Sequence, residues 1–92
     1  MTSRLARSFR KRFEDLPESI QEQARRSYAH WREDPYHPSL QFKQVHPTEP
    51  IYSVRIGLNW RALGLVEGDA ITWFWVGSHG DYDKLVAQMR SG

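Results

Sequence analysis

The middle and the end of the sequence carry four side chains that could act on a phosphate ester, namely Lys43, Arg55, Arg61 and His79. Arginine forks match pairs of phosphate oxygens, and histidine exchanges a proton near neutral pH. A metal-free ribonuclease needs only a base for the 2′-hydroxyl, an acid for the leaving oxygen, and cations for the charged intermediate. The four residues therefore fit a phosphodiester site, although a cation on a strand is more often solvated or salt-bridged.

Their positions along the predicted strands decide whether these four residues meet. Strand alternation turns Lys43 and Arg55 away from their apolar neighbours, Arg61 begins the next strand, and His79 follows the last one. In an antiparallel meander the four residues converge on one side of the sheet, in a register that the sequence alone does not define.

Other kinds of site have little support in the sequence. The four histidines, His30, His37, His46 and His79, show no metal-ligand spacing, and there is no cysteine to assist them. No glycine-rich phosphate loop, nucleophile elbow or paired-carboxylate motif is present. We therefore expect neither a metal nor a cofactor.

Composition limits the class of protein. With 92 residues, 13% of them aromatic, the chain fits one packed domain spanning residues 1–92. No apolar run approaches the length of a membrane span and no signal peptide precedes the charged start, so we expect a cytoplasmic protein with no membrane partner. The stretch RLARSFRKR (4–12) carries five basic residues and no acid, which fits a phosphate-binding surface, an acidic protein partner or a solvated helix face.

Apolar spacing predicts a helical hairpin at the start of the chain. The first helix has apolar residues at helical spacing from Leu5 to Leu16, and Pro17 suits the first position of a second helix. The segment DPYHP (34–38) ends the second helix, because proline cannot continue it. A short extra strand before or within the first helix also fits the sequence.

The periodicity then changes to that of strands. Four strands are predicted, with turns at HPTEP, GLN and EGD between them: Leu40–Val45, Ile51–Ile56, Trp60–Val66 and Ala70–Val76. The last strand is apolar on both faces, which indicates a covered central strand with Trp73 and Trp75 on one face and Phe74 on the other. The predicted fold is α+β: an N-terminal helical hairpin packed on an antiparallel meander, with a short C-terminal helix.

The segment that joins the last strand to this helix allows two interpretations. Ser78 and Asp81 have the spacing of a helix-capping box. His79 lies between them, so it is either a proton-transfer group held by a rigid strand or a residue of a capping turn.

The segment YSVRIGLNWRALGLVEGDAITWFWVGSHGDYDKL and the order of elements resemble the RelE/ParE superfamily of toxin–antitoxin toxins. The pattern of a strand with Arg-Ile-Gly, a short turn, Trp-Arg-Ala-Leu, a hairpin, and a strand ending Val-Gly-Ser-His is similar to that of small translational repressors. The resemblance implies that Arg61 contacts phosphate, that His79 and Tyr82 form a catalytic pair, and that Lys43 and Arg55 support substrate binding.

The resemblance also implies function and partners. RelE-type members cut messenger RNA, typically on the ribosome, and ParE-type members inhibit DNA gyrase; an antitoxin encoded nearby holds either type. The first expectation is a metal-independent endoribonuclease that represses translation. The alternatives are a non-catalytic gyrase inhibitor and a degenerate member that only binds a partner.

Overall fold

The computed structural model describes residues 1–91 as one sheet with helices on both faces. The strands are β1 (Thr2–Leu5), β2 (Lys43–Gln44), β3 (Ile51–Ile56), β4 (Trp60–Glu67) and β5 (Ala70–Ser78). The helices are α1 (Arg7–Glu14), α2 (Glu18–Glu33) and α3 (His79–Ser91), with a 3-10 turn at Pro38–Leu40. This arrangement confirms the α+β fold with an N-terminal helical hairpin and a C-terminal helix.

The sheet has the order β1-β5-β4-β3-β2 and is antiparallel except at one edge. Strands β2 to β5 form the predicted meander, and β1 is the additional strand, parallel to the first half of β5. Because β5 has a neighbour on both sides and apolar residues on both faces, it occupies the interior position that its sequence predicts.

Two hydrophobic clusters lie on opposite faces of the sheet. On one face α1 and α2 pack through Phe9, Phe13 and Trp31 against the strands, and Trp31 and Trp73 meet edge to face with ring centroids 5.3 Å apart. On the other face α3 packs through Tyr82 and Val86. The second cluster is the smaller of the two.

The predicted strand Leu40–Val45 is wrong over its first half. Leu40 ends the 3-10 turn, Gln41 adopts a left-handed backbone with φ of 48°, and only Lys43–Gln44 pair with β3. His37 caps the turn, because its Nδ1 accepts a hydrogen bond of 3.2 Å from the backbone N–H of Ser39. The prediction missed this turn because it used the spacing of apolar residues, whereas the turn is stabilised by a polar side chain at its start.

The faces predicted for the aromatic run of β5 are also wrong. The register pairs Leu63 with Trp75 and Gly64 with Trp73, so Phe74 is the extra residue of a β-bulge. A bulge shifts the alternation by one residue, which sends Trp73 to the hairpin face while Phe74 and Trp75 both join the α3 cluster. Trp73 is 3% exposed, and Trp75 is only partly buried.

The open half of β5 is covered by α1 instead of a strand. Ser8 Oγ donates to the Phe74 carbonyl over 2.7 Å, and Arg12 Nε donates to the Val76 carbonyl over 2.8 Å. The Arg12 guanidinium also lies over the Trp75 ring, 5.0 Å from its centroid. These contacts satisfy edge carbonyls that would otherwise be free to pair with another chain, so one cation of the basic stretch 4–12 is structural.

Candidate functional site

The register of the sheet places three cations on the face that α3 covers. Lys43 pairs with Ser53, and Arg55 pairs with Arg61 on the adjoining strand. Paired residues, and residues two apart on a strand, share a face, so Lys43, Arg55 and Arg61 all lie on the side of Ser53. The structure thus brings the three predicted strand cations to one face.

Arg55 and Arg61 are direct cross-strand neighbours. Each is held by a backbone carbonyl: Arg55 Nε donates to Gly57 O over 2.9 Å, and an Nη of Arg61 donates to Trp60 O over 2.7 Å. Neither guanidinium forms an ion pair within residues 1–91. Two adjacent, unneutralised cations produce a strong local preference for an anion.

Partial burial makes this preference stronger at Arg61. Desolvation lowers the pKa of Arg61 from its ordinary value, and repulsion from Arg55 lowers that pKa further, while Tyr82 and Asp83 act in the opposite direction. A bound anion would offset both unfavourable effects. Arg61 is therefore the cation in this group whose surroundings most favour a negatively charged ligand.

Lys43 lies at the margin of this group. It is exposed and occupies the position diagonal to Arg55 across the β2–β3 pair, a separation of about 7–8 Å between backbones. A lysine side chain spans such a distance, so Lys43 could reach an extended ligand that already contacts Arg55 and Arg61.

His79 begins α3 immediately after β5 ends. Its backbone N–H donates to Asn59 O over 2.7 Å, which ties it to the turn before β4. Ser78 Oγ accepts from the Asp81 N–H over 3.2 Å, as predicted for a helix cap. The two interpretations of this segment are therefore compatible, because Ser78 forms the cap and leaves the His79 side chain free for another task.

The Tyr82 ring lies near both His79 and Arg61. Its centroid is 5.9 Å from that of the His79 ring and 6.0 Å from the Arg61 Cζ atom. Tyr82 is 8% exposed, and its hydroxyl donates to Ser53 Oγ over 3.1 Å within the core. Tyr82 therefore holds α3 on the sheet and lies close to both His79 and Arg61.

Two contacts at the candidate site escaped the sequence reasoning. His79 Nδ1 lies 3.0 Å from Asp83 Oδ2, and Tyr82 bonds to Ser53. The first contact has a sequence signal, because residues four apart in a helix face the same side. The second depends on how α3 packs across β3, which no local pattern reveals.

The other histidines do not join this site. The rings of His30 and His37 lie 4.6 Å apart, and the Nδ1 atoms of His37 and His46 accept backbone N–H groups of their own loops. No group of three metal-ligating side chains occurs anywhere in residues 1–91.

An apolar groove lies on the opposite face, between the helical hairpin and the sheet. We call it the hairpin groove; its volume is about 270 Å³, and its lining includes Leu5, Phe9, Phe13, Trp31 and Trp73. Arg25 also lines the groove, with its guanidinium 5.4 Å from the centroid of the Phe13 ring. Leu5 is 44% exposed at this site. Among residues 1–91, no helix is both long and apolar enough to cross a membrane.

Several solved structures of toxins and toxin–antitoxin complexes share this fold. A chain of the RelB–RelE antitoxin–toxin complex from Methanococcus jannaschii matches with a TM-score of 0.71 at 19% identity, covering 89% of this chain and 96% of that one. A chain of the RelE–RelB complex from Pyrococcus horikoshii matches with a TM-score of 0.67 at 14% identity, covering 86% and 94%. A mutant E. coli RelE toxin in the free state gives 0.68 at 13% identity, covering 98% and 93%.

The fold is thus that of the RelE toxins, as the resemblance implies. No curated protein sequence matches the chain significantly. The model of the ParE-like toxin domain matches residues 18–84, which include β2 to β5 and the start of α3. The chain belongs to the ParE-like toxin domain family, within the RelE/ParE superfamily.

Proposed function

We propose that this protein is the toxin of a toxin–antitoxin system and that it represses translation by cleaving messenger RNA without a metal ion. The observation that carries the proposal is the pair Arg55–Arg61, two adjacent cations that form no ion pair within residues 1–91. A phosphodiester is the anion that such a pair beside a histidine is suited to bind and react with. The proposed substrate implies that the protein acts in the cytoplasm.

The proposed reaction is an internal transfer of the phosphodiester. The 2′-oxygen attacks phosphorus as the bond from phosphorus to the 5′-oxygen breaks, which leaves a 2′,3′-cyclic phosphate and a 5′-hydroxyl. His79 takes the proton from the 2′-hydroxyl, and the departing 5′-oxygen takes a proton from water. Arg61 and Arg55 stabilise the additional negative charge on the phosphoryl oxygens in the transition state.

The remaining predicted residues have supporting roles in this proposal. Lys43 contacts a flanking phosphate of the same RNA strand, since it lies on the same face and is exposed. Tyr82 acts by holding Arg61 and His79 in place, because its hydroxyl is already used by Ser53 in the core.

The test is an RNA cleavage assay with matched variants. A 5′-labelled messenger RNA, free and bound to bacterial ribosomes, is incubated with the protein in the presence of EDTA. We expect cleavage with cyclic phosphate ends, and a loss of about 10²–10⁴-fold for His79→Ala. His30→Ala is the control, since it removes a histidine that lies outside the site. Normal cleavage by folded His79→Ala would refute the assignment of the base.

Inhibition of DNA gyrase is the second candidate function, and the match to the ParE-like toxin domain favours it. A contact inhibitor needs no proton transfer, so toxicity would survive His79→Ala. A supercoiling assay with purified gyrase decides between the two functions. A protein that blocks supercoiling but leaves RNA intact, with and without ribosomes, would remove the ribonuclease proposal. A chain that does neither would be a degenerate member that only binds a partner.

We further propose that the partner is an antitoxin whose acidic amphipathic helix fills the hairpin groove. The groove is apolar, it is open enough to leave Leu5 44% exposed, and Arg25 supplies a cation for an acidic helix. Leu5→Glu should weaken binding of the protein encoded by the adjacent gene by at least about tenfold. Leu58→Glu is the control, because Leu58 is 74% exposed and outside the groove. Equal binding by both variants would place the antitoxin elsewhere.

A further inference from the structure

His79 and Asp83 form a pair on the first turns of α3. The two residues are four apart, and His79 Nδ1 lies 3.0 Å from Asp83 Oδ2. A carboxylate can only accept a hydrogen bond, so Nδ1 must carry the hydrogen. In the neutral imidazole this leaves the lone pair on Nε2.

The opposite ring nitrogen of His79 is free to act. Nε2 makes no hydrogen bond within residues 1–91, and the side chain is 44% exposed. The backbone N–H of His79 is tied to Asn59 O, and the ring lies against Tyr82. These contacts limit the position of the ring, while the bond to Asp83 is the one that selects its tautomer.

We propose that Asp83 is a positioning residue for the proposed cleavage reaction. It holds His79 in the tautomer whose Nε2 accepts a proton, and it stabilises the imidazolium that forms when the 2′-hydroxyl proton is transferred. This inference rests on the proposed ribonuclease function. The pair is too exposed to contribute much to folding, since the Asp83 side chain is 62% exposed. Its effects on folding and on reactivity can therefore be measured separately.

Asp81 offers a matched control in the same helical turn. Asp83→Asn and Asp81→Asn each remove one negative charge near the start of α3, and only the first changes the partner of His79. The capping bond from Asp81 to Ser78 uses the backbone N–H, so it survives the control substitution. An asparagine at position 83 can donate as well as accept, which permits the opposite tautomer of His79.

Two measurements test the inference. In the RNA cleavage assay we expect Asp83→Asn to lower kcat by about tenfold without raising KM, because positioning affects the reaction, and removing a negative charge near Arg61 does not weaken phosphate binding. Asp81→Asn should stay within about twofold of the parent, and Asp83→Glu should retain more activity than Asp83→Asn because it keeps an acceptor. In ¹⁵N NMR spectra of neutral His79 we expect the Nδ1–H form to dominate in the parent and in Asp81→Asn, and the Nε2–H form to increase in Asp83→Asn.

The outcomes separate this inference from the function on which it rests. If the parent cleaves RNA and both asparagine variants cleave equally well, Asp83 has no positioning role. If the parent cleaves no RNA, the ribonuclease proposal fails, and the NMR comparison alone decides whether Asp83 selects the tautomer. Identical tautomer signatures in all three proteins would overturn the inference in either case.

Discussion

Replacing Arg61 by methionine should lower RNA cleavage by about 10²-fold or more while costing at most about 2 kcal/mol of stability. Arg61 faces Arg55 directly across two strands and forms no ion pair within residues 1–91. Its lowered pKa means that the folded protein holds this proton less tightly than the unfolded chain does. Protonated Arg61 therefore opposes folding throughout the neutral range, and this effect would disappear only as the pH rises through its folded pKa, far above neutrality.

The individual contributions to stability cancel in part. The variant loses a cation–π contact with Tyr82, worth about 0.5–1 kcal/mol at a partly exposed position. It also loses a hydrogen bond to Trp60 O, worth about 0.5–1.5 kcal/mol. It gains from removing a directly opposed like charge, about 0.2–1 kcal/mol, and from the apolar stem of methionine. The two losses exceed the gain from removing the like charge by about 0–2 kcal/mol, and each kcal/mol corresponds to about 4–8 °C in Tm for a domain of this size.

Activity should respond very differently. If Arg61 stabilises the phosphoryl oxygens in the transition state, its removal should lower the cleavage rate by about 10²-fold or more. Arg61→Lys should recover part of this loss, because the charge stays while the bidentate fork is lost. Thermal unfolding can be measured with and without phosphate at about 50 mM, a concentration chosen to populate a weak site. We expect phosphate to raise the Tm of the parent and to raise the Tm of Arg61→Met by a smaller amount.

Two results would refute this reasoning. A loss of stability of about 3 kcal/mol or more would mean that Arg61 is a structural residue, on the scale of breaking a buried ion pair. Parental cleavage by a folded Arg61→Met protein would mean that the anion is bound elsewhere. Arg26→Met is the control, since it removes an exposed arginine of α2.

Four further substitutions test the packing around the site. Trp73→Ala should cost about 3–5 kcal/mol in urea unfolding, and Trp75→Ala clearly less, because only Trp73 is fully buried; equal losses would argue against the bulge. Tyr82→Phe should lower the free energy of unfolding by about 1 kcal/mol, because it leaves the hydroxyl of Ser53 without its donor. An unchanged denaturation midpoint would mean that the buried hydrogen bond does not stabilise the fold. Ser78→Ala should lower the free energy of unfolding by about 1 kcal/mol, because it removes the cap of α3. Unchanged helix content in circular dichroism would mean that the cap is unimportant.

The pairing of Arg55 with Arg61 illustrates how far sequence reasoning extends towards the site. Alternation in each strand correctly separates the two arginines from their apolar neighbours, and a short turn between the strands predicts a hairpin. Direct opposition of the two side chains, however, depends on a register that is set by the three-residue turn and the packing of both faces. The sequence therefore predicts which cations belong to the site, and only the structure shows how they are arranged.

Local chemistry determined a large part of this protein in advance. The helical hairpin, strands β3 to β5 and the cap at Ser78 follow from apolar periodicity and turn residues, which act over a few positions. Tertiary structure decided the rest. The bulge at Phe74 reassigns Trp75 to the α3 face, the start of the chain becomes β1 only because β5 has an open edge, and the buried Tyr82–Ser53 bond joins residues 29 positions apart. Each of these features is stabilised by contacts between segments that are distant in the sequence, so no single stretch of sequence predicts it.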